Sequence, residues 1–403
     1  MGLAFWRKPE ERATNITNEG GVATSDLRIA ELFGLFGMES ASGVVVNIET
    51  AMGVPAIWDA TNFLAGTLAG LPLNVFRRSG DERQKVTGPL HHLVHDDVND
   101  EMSSFEWRKY TFEQVLTGGR AFSYIERNSA GTPQNIFPLD PSRVTIKREN
   151  NLKKYHYRRD DNRLVIYDSW EIIDIPFMLK ADGLTHRGPI ASNKDIIGLA
   201  IASVNYGSRF FQNGGVPPFA VTGGFQSGGA MNRAADDLEG AVKKASKDSR
   251  HALVLPNGLE IKPIGANPED SQLVEVQRFL IEQIARIYAI PPTFLQDLSH
   301  GTFSNTEQQD LHFVKHTVKR WAEQFEAEVN LKLFGRGRRT RFVELNMDGL
   351  LRGDFKTRMD GNSSAIQTGQ MTPNEARKME NRPALPNGDD LLIQGATVPL
   401  GSQ

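Results

Sequence analysis

The chain contains no cysteine. That absence excludes disulfide staples, thiolate metal sites and cysteine nucleophiles together. Long apolar runs are missing too: the most apolar stretch, Ile196 to Val204, is about half of the roughly 20 residues a membrane helix needs, and Lys194 and Asp195 flank it. No membrane span is expected. Positive charge is not in surplus, because 46 Lys and Arg face 49 Asp and Glu for a net charge of -3, whereas a static grip on nucleic acid calls for a strongly basic face. The opening residues Met1 to Glu10 place Arg7 and Lys8 after a very short apolar stretch, out of order for a secretory signal, so the protein is expected to stay in the cytoplasm where it is made.

Catalytic signatures are also lacking. There is neither a Gly-x-Ser-x-Gly elbow nor a His-Glu-x-x-His helix, and the glycine-rich run Gly223 to Gly229 has no Gly-Lys-Ser/Thr with which to hold phosphate and Mg²⁺. That run reads as a turn. His91, His92 and His95, beside Asp96 and Asp97, include a four-residue pair that could share a metal on a helix, but the spacing supplies no third ligand. A solvated or partly packed helix end is the better reading. No catalytic residue, no metal and no cofactor is therefore expected.

What the sequence does contain is a long α+β pattern. At 403 residues the chain exceeds the roughly 250 to 300 at which one core stops growing, so it should divide into several packed units. Residues 1–42 read as a partly ordered N-terminal arm with an apolar patch at Leu32 to Phe36. Residues 43–189 read as an α+β unit: helical spacing through Ala51 to Leu71, a strand from Leu73, a helix over Glu106 to Leu116 ended by Gly118-Gly119, then alternating strands to Pro176. Ile190 to Phe211 reads as one helix, and Gly198, Ala202 and Gly207 would let another helix approach closely. Residues 214–266 read as a small α/β insertion with a hairpin-like pair, Ala252 to Leu255 and Glu260 to Ile264, about Pro256-Asn257-Gly258.

A second helix follows over 267–290, capped by Asn267, with Pro268 at its first position and Pro291-Pro292 at its end. Residues 291–304 form a loop, and Ser304 with Glu307 makes a capping box for the longest helix. Leu311, Val314, Val318, Trp321, Phe325 and Val329 give that helix one unbroken apolar stripe, and a strand at Arg341 to Leu345 completes residues 305–350. On the same helix His312, Lys315, His316, Lys319 and Arg320 form a basic sector followed by Glu323, Glu326 and Glu328, read as a solvated charged face. Arg336, Arg338, Arg339 and Arg341 suit the negative end of the helix. Residues 351–403 carry a second capping box, Thr372-Pro373-Asn374-Glu375.

The order of several short motifs resembles the portal proteins, or head-to-tail connectors, of long-tailed bacteriophages and of the related gene transfer agents. These motifs are Gly188-Pro189-Ile190 leading to Arg209-Phe210-Phe211-Gln212-Asn213-Gly214; Ile290-Pro291-Pro292; Thr302-Phe303-Ser304-Asn305 with Glu307-Gln308-Gln309; Leu350-Leu351-Arg352-Gly353-Asp354; and Met371 to Arg377 followed by Asn387-Gly388-Asp389. Together they span most of residues 50 to 395.

The resemblance implies a multi-domain portal-type subunit assembling into a dodecameric ring at one capsid vertex. Double-stranded DNA would be driven in by the terminase large subunit and later leave through an adaptor and tail. It divides the chain into a wing (43–189 and 305–350), stem helices (190–213 and 267–290), a clip (214–266), a tunnel loop within 291–304 and a short crown (351–403). It makes Gln296, Asp297, Leu298, Ser299, His300, Gly301, Thr302, Phe303 and Ser304 the DNA-facing loop, and Gly198, Ala202 and Gly207 the packing positions between subunits. The implied partners are further copies of the chain, the DNA, the terminase, a head-completion adaptor and the major capsid protein, in a particle assembled in the bacterial cytoplasm. The alternatives are another DNA-encircling head-completion ring or, less favoured, a phage nuclease or protease using dispersed carboxylates. A mildly acidic conduit fits the physics, since neutralising many phosphates would trap the DNA it must pass.

Overall fold

The computed structural model describes residues 37–80, 82–212, 219–223, 228–229, 231–233, 235–237, 240, 259–263, 273–295, 309–336, 340–347, 350, 355–380 and 382–393. The chain forms two compact units, Met1–Leu345 and Asn346–Gln403.

The first unit opens with a hairpin of β1 (Met38–Glu39) and β2 (Val45–Val46), then α1 (Ile48–Met52) and α2 (Pro55–Gly70). Pro55 starts α2 at the one place where its missing N–H costs nothing. Beyond α2 run β3 (Leu73–Ser79), β4 (Glu82–Lys85), α3 (Pro89–His95), the short pair β5 (Asp97–Asn99) and β6 (Met102–Ser103), and α4 (Ser104–Thr117). Ser103 and Glu106 cap α4 reciprocally, satisfying two of its orphan donors. α2 packs on α4, and Leu64 and Leu68 of α2 and Trp107 and Phe112 of α4 are all fully buried. Arg108 of α4, itself buried, donates to the Ala69 carbonyl from both Nε (3.2 Å) and Nη2 (2.8 Å). A cation thus sits on the last turn of α2, where the helix end is negative. Burial pushes its pKa down to about 10, still far above neutrality.

The expected β-rich stretch is two three-stranded antiparallel sheets. One has the order β12 (Ile172–Pro176), β7 (Arg120–Arg127), β8 (Pro133–Leu139); the other β11 (Leu164–Asp168), β10 (Leu152–Arg158), β9 (Val144–Glu149). Phe122, Leu139, Val144, Tyr155, Tyr167 and Ile172, drawn from both sheets, make one apolar cluster.

Next come α5 (Pro189–Ser192) and α6 (Lys194–Gln212), so the helix read as continuous from Ile190 is broken at Asn193. The Asn193 side chain donates to the Pro189 carbonyl at 2.8 Å, a local bond that competes with the helical pattern. Within the insertion, β13 (Phe219–Gly223) pairs antiparallel with β14 (Leu259–Pro263). Among the described residues the second strand of the expected hairpin thus has β13 as its partner; residues 251–258, its expected partner and turn, lie outside them. Likewise outside lie the Asn267 cap, residues 296–308 with the Ser304 and Glu307 box, Arg338 and Arg339.

α7 (Leu273–Tyr288) leads through a 3₁₀ turn (Pro292–Leu295) toward the long helix, described from residue 309. That helix is π-helical over Phe313–Val318 before continuing as α8 (Lys319–Phe334). The expected stripe is corrected at this turn, because Leu311 is exposed and Phe313 buried. Residues 314, 318, 322 and 325 step mostly by four, which drifts by about 40° per repeat on a 3.6-residue turn. A wider turn restores the phase. β15 (Arg341–Leu345) then pairs with β3, in the sheet order β15, β3, β4, with Phe342 stacked on Phe76 at 5.7 Å between ring centres.

In the second unit α9 (Phe355–Gln367) precedes α10 (Pro373–Met379), capped as expected by Thr372 and Glu375. Buried Asn374 receives a bond from Leu385 N (2.8 Å), donates to Leu385 O and Asp389 (both 2.9 Å), and its backbone N–H donates to Gly388 O (2.8 Å). The two motifs of the tail are therefore one polar knot.

Candidate functional site: the helix pair and its anchorage

The pair α6 and α7 is held to the rest of the unit at both ends. At the entry to α5, Gly188 lies against the Gly118-Gly119 turn so closely that a Cβ on Gly119 would sit 2.3 Å from Gly188 Cα. Gly119 has φ +90°, which L side chains rarely adopt. Buried His186 bonds the Gly118 carbonyl through Nε2 at 3.0 Å. Burial lowers its pKa to about 4, so the ring is neutral near pH 7 and donates this bond as the Nε2–H tautomer.

The N-terminal hairpin grips the other side of α6. Lys194 Nζ donates to Glu39 O at 2.7 Å, and Ala41 N donates to Asp195 at 2.9 Å. A Cβ on Gly198 would lie 2.1 Å from Ser40 Oγ, so the space left by this glycine is filled by the same chain. The nearest neighbour of a Cβ on Gly207 is Leu273 of α7, at 3.8 Å. Of the three small residues expected between subunits, Gly198 and Gly207 serve contacts within the chain, and Ala202 stays half-exposed. The arm expected to end at residue 42 likewise contributes its residues 38–42 to the docked hairpin.

At the far end of α7, Ala289 takes φ +54° and Ile290 N donates back to Ala285 O at 3.0 Å, so the chain turns sharply into Pro291-Pro292. Thr317 Oγ1, in the π-turn, donates to the Ala289 carbonyl. Thr293 Oγ1 donates to Gln309 at 2.7 Å, and Phe294 packs on Phe313 (5.0 Å) and on Phe63 of α2 (5.2 Å). Thr293 and Gln309, on either side of the stretch containing the expected loop Gln296 to Ser304, are thereby bonded to each other, and Phe294 and Phe313 beside them pack on α2. The loop residues themselves lie outside the described residues.

Behind this frame lies a buried ionic network with no signal in the sequence. Arg120 donates to Asp174 from Nε (2.6 Å) and Nη2 (2.7 Å), and Tyr155 OH and Lys153 Nζ donate to the same carboxylate at 2.6 and 3.1 Å. Asp174 N donates to Glu328 Oε1 at 3.0 Å, and Glu328 pairs with Lys332 at 3.3 Å. Burial alone would raise the Asp174 carboxyl, but the Arg120 charge and its paired hydrogen bonds outweigh it and hold the pKa below the ordinary carboxylate value. Six side chains on three strands and α8 are bound as one set.

Glu326 and Glu328 are thus not part of a solvated face. Glu326 accepts from Leu345 N at 2.7 Å, and burial, reinforced by Glu344 and Glu323, pushes its pKa up to about 7. The basic sector does face solvent: His312, Lys315, His316, Lys319 and Arg320 are all exposed, with the His312 and His316 rings 4.4 Å apart. Arg320 lies 4.6 Å over the Trp321 ring. In the histidine group, His92 bonds Asp96 at 2.6 Å, His95 bonds Leu73 O at 3.0 Å, and His91 stacks on His95 at 4.6 Å. No metal-holding trio of His, Cys, Asp or Glu occurs among the described residues.

The model of the phage portal protein family matches residues 55–381. The chain belongs to that family. It is 28% identical to the portal protein of Enterobacteria phage HK97 over 364 residues, covering 88% of this chain and 85% of that one. The fold is similar to that of an HK97 family phage portal protein from Corynebacterium diphtheriae, with a TM-score of 0.54 and 18% identity over 75% of this chain and 95% of that one. It is similar also to a chain in the neck of a native gene transfer agent particle computed with C12 symmetry, with a TM-score of 0.56 and 15% identity over 93% and 97%. No helix among the described residues is long and apolar enough to cross a membrane.

Proposed function

We propose that this portal protein is a structural, non-catalytic subunit of a dodecameric DNA conduit at one capsid vertex of a phage or gene transfer agent particle. In this reading the wing is residues 43–189 with 305–350, the stem is α6 and α7, the clip is 214–266 and the crown is 351–403. A terminase motor drives DNA inward through the ring, the major capsid protein surrounds it, and an adaptor and tail receive the DNA on exit. The observation that carries the reading is the clamp between Thr293 and Gln309. It fixes Thr293 and Gln309, on either side of Gln296 to Ser304, at one point of the frame, which suits a segment that touches passing DNA without the ring deforming. Gln296 to Ser304 contain Asp297 and no Lys or Arg, and so bring no excess of positive charge with which to hold phosphate.

Deleting Ser299 to Thr302 tests it. Closed rings with a central hole are expected in negative-stain images viewed down the axis, while packaged or retained DNA falls. Normal DNA content and particle yield from the shortened chain would refute the loop assignment. Cleavage of DNA or casein by the purified protein with divalent metal would refute the non-catalytic reading.

A further inference from the structure

The stem pair carries two unlike apolar faces on opposite sides. The first is a groove of about 520 Å³ between α2, α6 and α7, walled by Trp58, Ala200, Val204, Leu280, Ile281 and Ile284. Trp58 at its rim is 58% exposed and Val204 48% exposed, although large side chains of this kind are normally covered. The second is a ridge on α6 made by Leu199 (40% exposed), half-exposed Ala202 and Tyr206 (42% exposed). At 100° per residue these three fall within about 60° of one another and centre roughly 150° away from Ala200 and Val204. One helix therefore presents a groove wall on one side and a ridge on the other.

The charges beside the two faces are opposite in sign. Asp59 lines the groove, and exposed Arg209 continues the ridge beyond Tyr206. Neither forms an ion pair among the described residues. A head-to-tail contact between identical chains requires two different but complementary patches on the same chain, and it closes into a ring when the rotation divides the circle. A two-fold contact would need one self-complementary patch instead.

We propose that the groove beside Trp58 receives the Leu199, Ala202 and Tyr206 ridge of a second copy of this chain, with the partner subunit's Arg209 paired to Asp59. The inference rests on the ring reading above and adds the contact that builds the ring. It moves the close packing between subunits from Gly198, whose space Ser40 of the same chain fills, and from Gly207, which faces Leu273 of α7, to the opposite edges of the stem.

Charge exchange on the full-length chain tests it. Arg209→Glu and Asp59→Lys, each alone, set like charges against one another at every contact, and the double variant restores opposite signs. Assembly is read by mass photometry across a protein concentration series. Each single variant is expected to need about tenfold more protein for half-assembly, with the double variant back near wild type. Single variants that assemble like wild type, or a double variant as poor as both losses combined, would overturn the interface. Unchanged circular dichroism and melting of the variants guards against misfolding as the cause.

A second measurement uses the absence of native cysteine. The Asp59→Cys/Arg209→Cys chain, oxidised once assembled, should give a ladder of covalent dimers, trimers and higher species, because each copy contributes one residue to each of two contacts. Dimers alone, or no cross-link in rings that do form, would overturn the proposal. A wild-type chain monomeric at every concentration would instead sink the ring reading, and the interface with it.

Discussion

Substituting Gly119 by alanine should damage this protein more than any conservative change on its surface. The new Cβ would lie 2.3 Å from Gly188 Cα, 2.9 Å from Gly188 N and 2.9 Å from His186 Cδ2, so two of its three neighbours are backbone. Backbone cannot rotate aside as a side-chain tip can. Holding a non-glycine residue at positive φ costs about 1–2 kcal/mol, and forcing a methyl into close-packed surroundings about 1–3 kcal/mol more. The sum, about 2–5 kcal/mol, is a large share of the roughly 5–15 kcal/mol by which domains are stable. At roughly 2–4 °C per kcal/mol for larger domains, the melting temperature should fall by about 4–20 °C. Gly66→Ala is the matched control, because it lies inside α2 with nothing within 4 Å of its Cβ position, and it should raise stability slightly. Differential scanning calorimetry of the two variants checks the pair. A drop below about 2 °C for Gly119→Ala would refute the argument that this crossing of backbones anchors α5 and α6.

Asp174→Asn leaves Arg120 buried without a counter-charge and should cost about 3–5 kcal/mol, measured by urea unfolding. Because the folded Asp174 pKa lies below its ordinary 3.8, its contribution is present above that value and is lost as pH falls through the folded pKa; the variant's stability should therefore change less with acidification than wild type. Glu326 has the opposite sign: its pKa is raised from 4.5 to about 7, so the folded chain binds the proton more tightly and stability declines as pH rises between those values. Glu326→Gln, which can still accept from Leu345 N, should flatten that decline in melts at pH 5 and pH 8, and an unchanged slope would sink the assignment. Phe325→Ala removes a fully buried ring packed 5.5 Å from Trp107 and 5.4 Å from Phe112, and should cost about 3–5 kcal/mol by chemical denaturation.

Local chemistry made much of this protein readable in one dimension. The Thr372 cap, the strand patterning of β7, β9, β10, β11 and β12, and the Pro291-Pro292 stop depend on residues within a few positions of one another, and each appears where the spacing puts it. The motif order carried the family for the same reason, since it is a string of turns and caps. Tertiary structure alone decided the pairing of β15 with β3, across more than half the chain, and of β14 with β13, because register between distant strands leaves no local trace. It decided also which small residues of α6 face their own chain: glycine permits a close approach without saying whose atoms will make it, and at Gly198 Ser40 does. The Arg120–Asp174–Glu328 network was invisible for a related reason, since a charged residue reads as solvent-facing until the fold supplies both its burial and its partners.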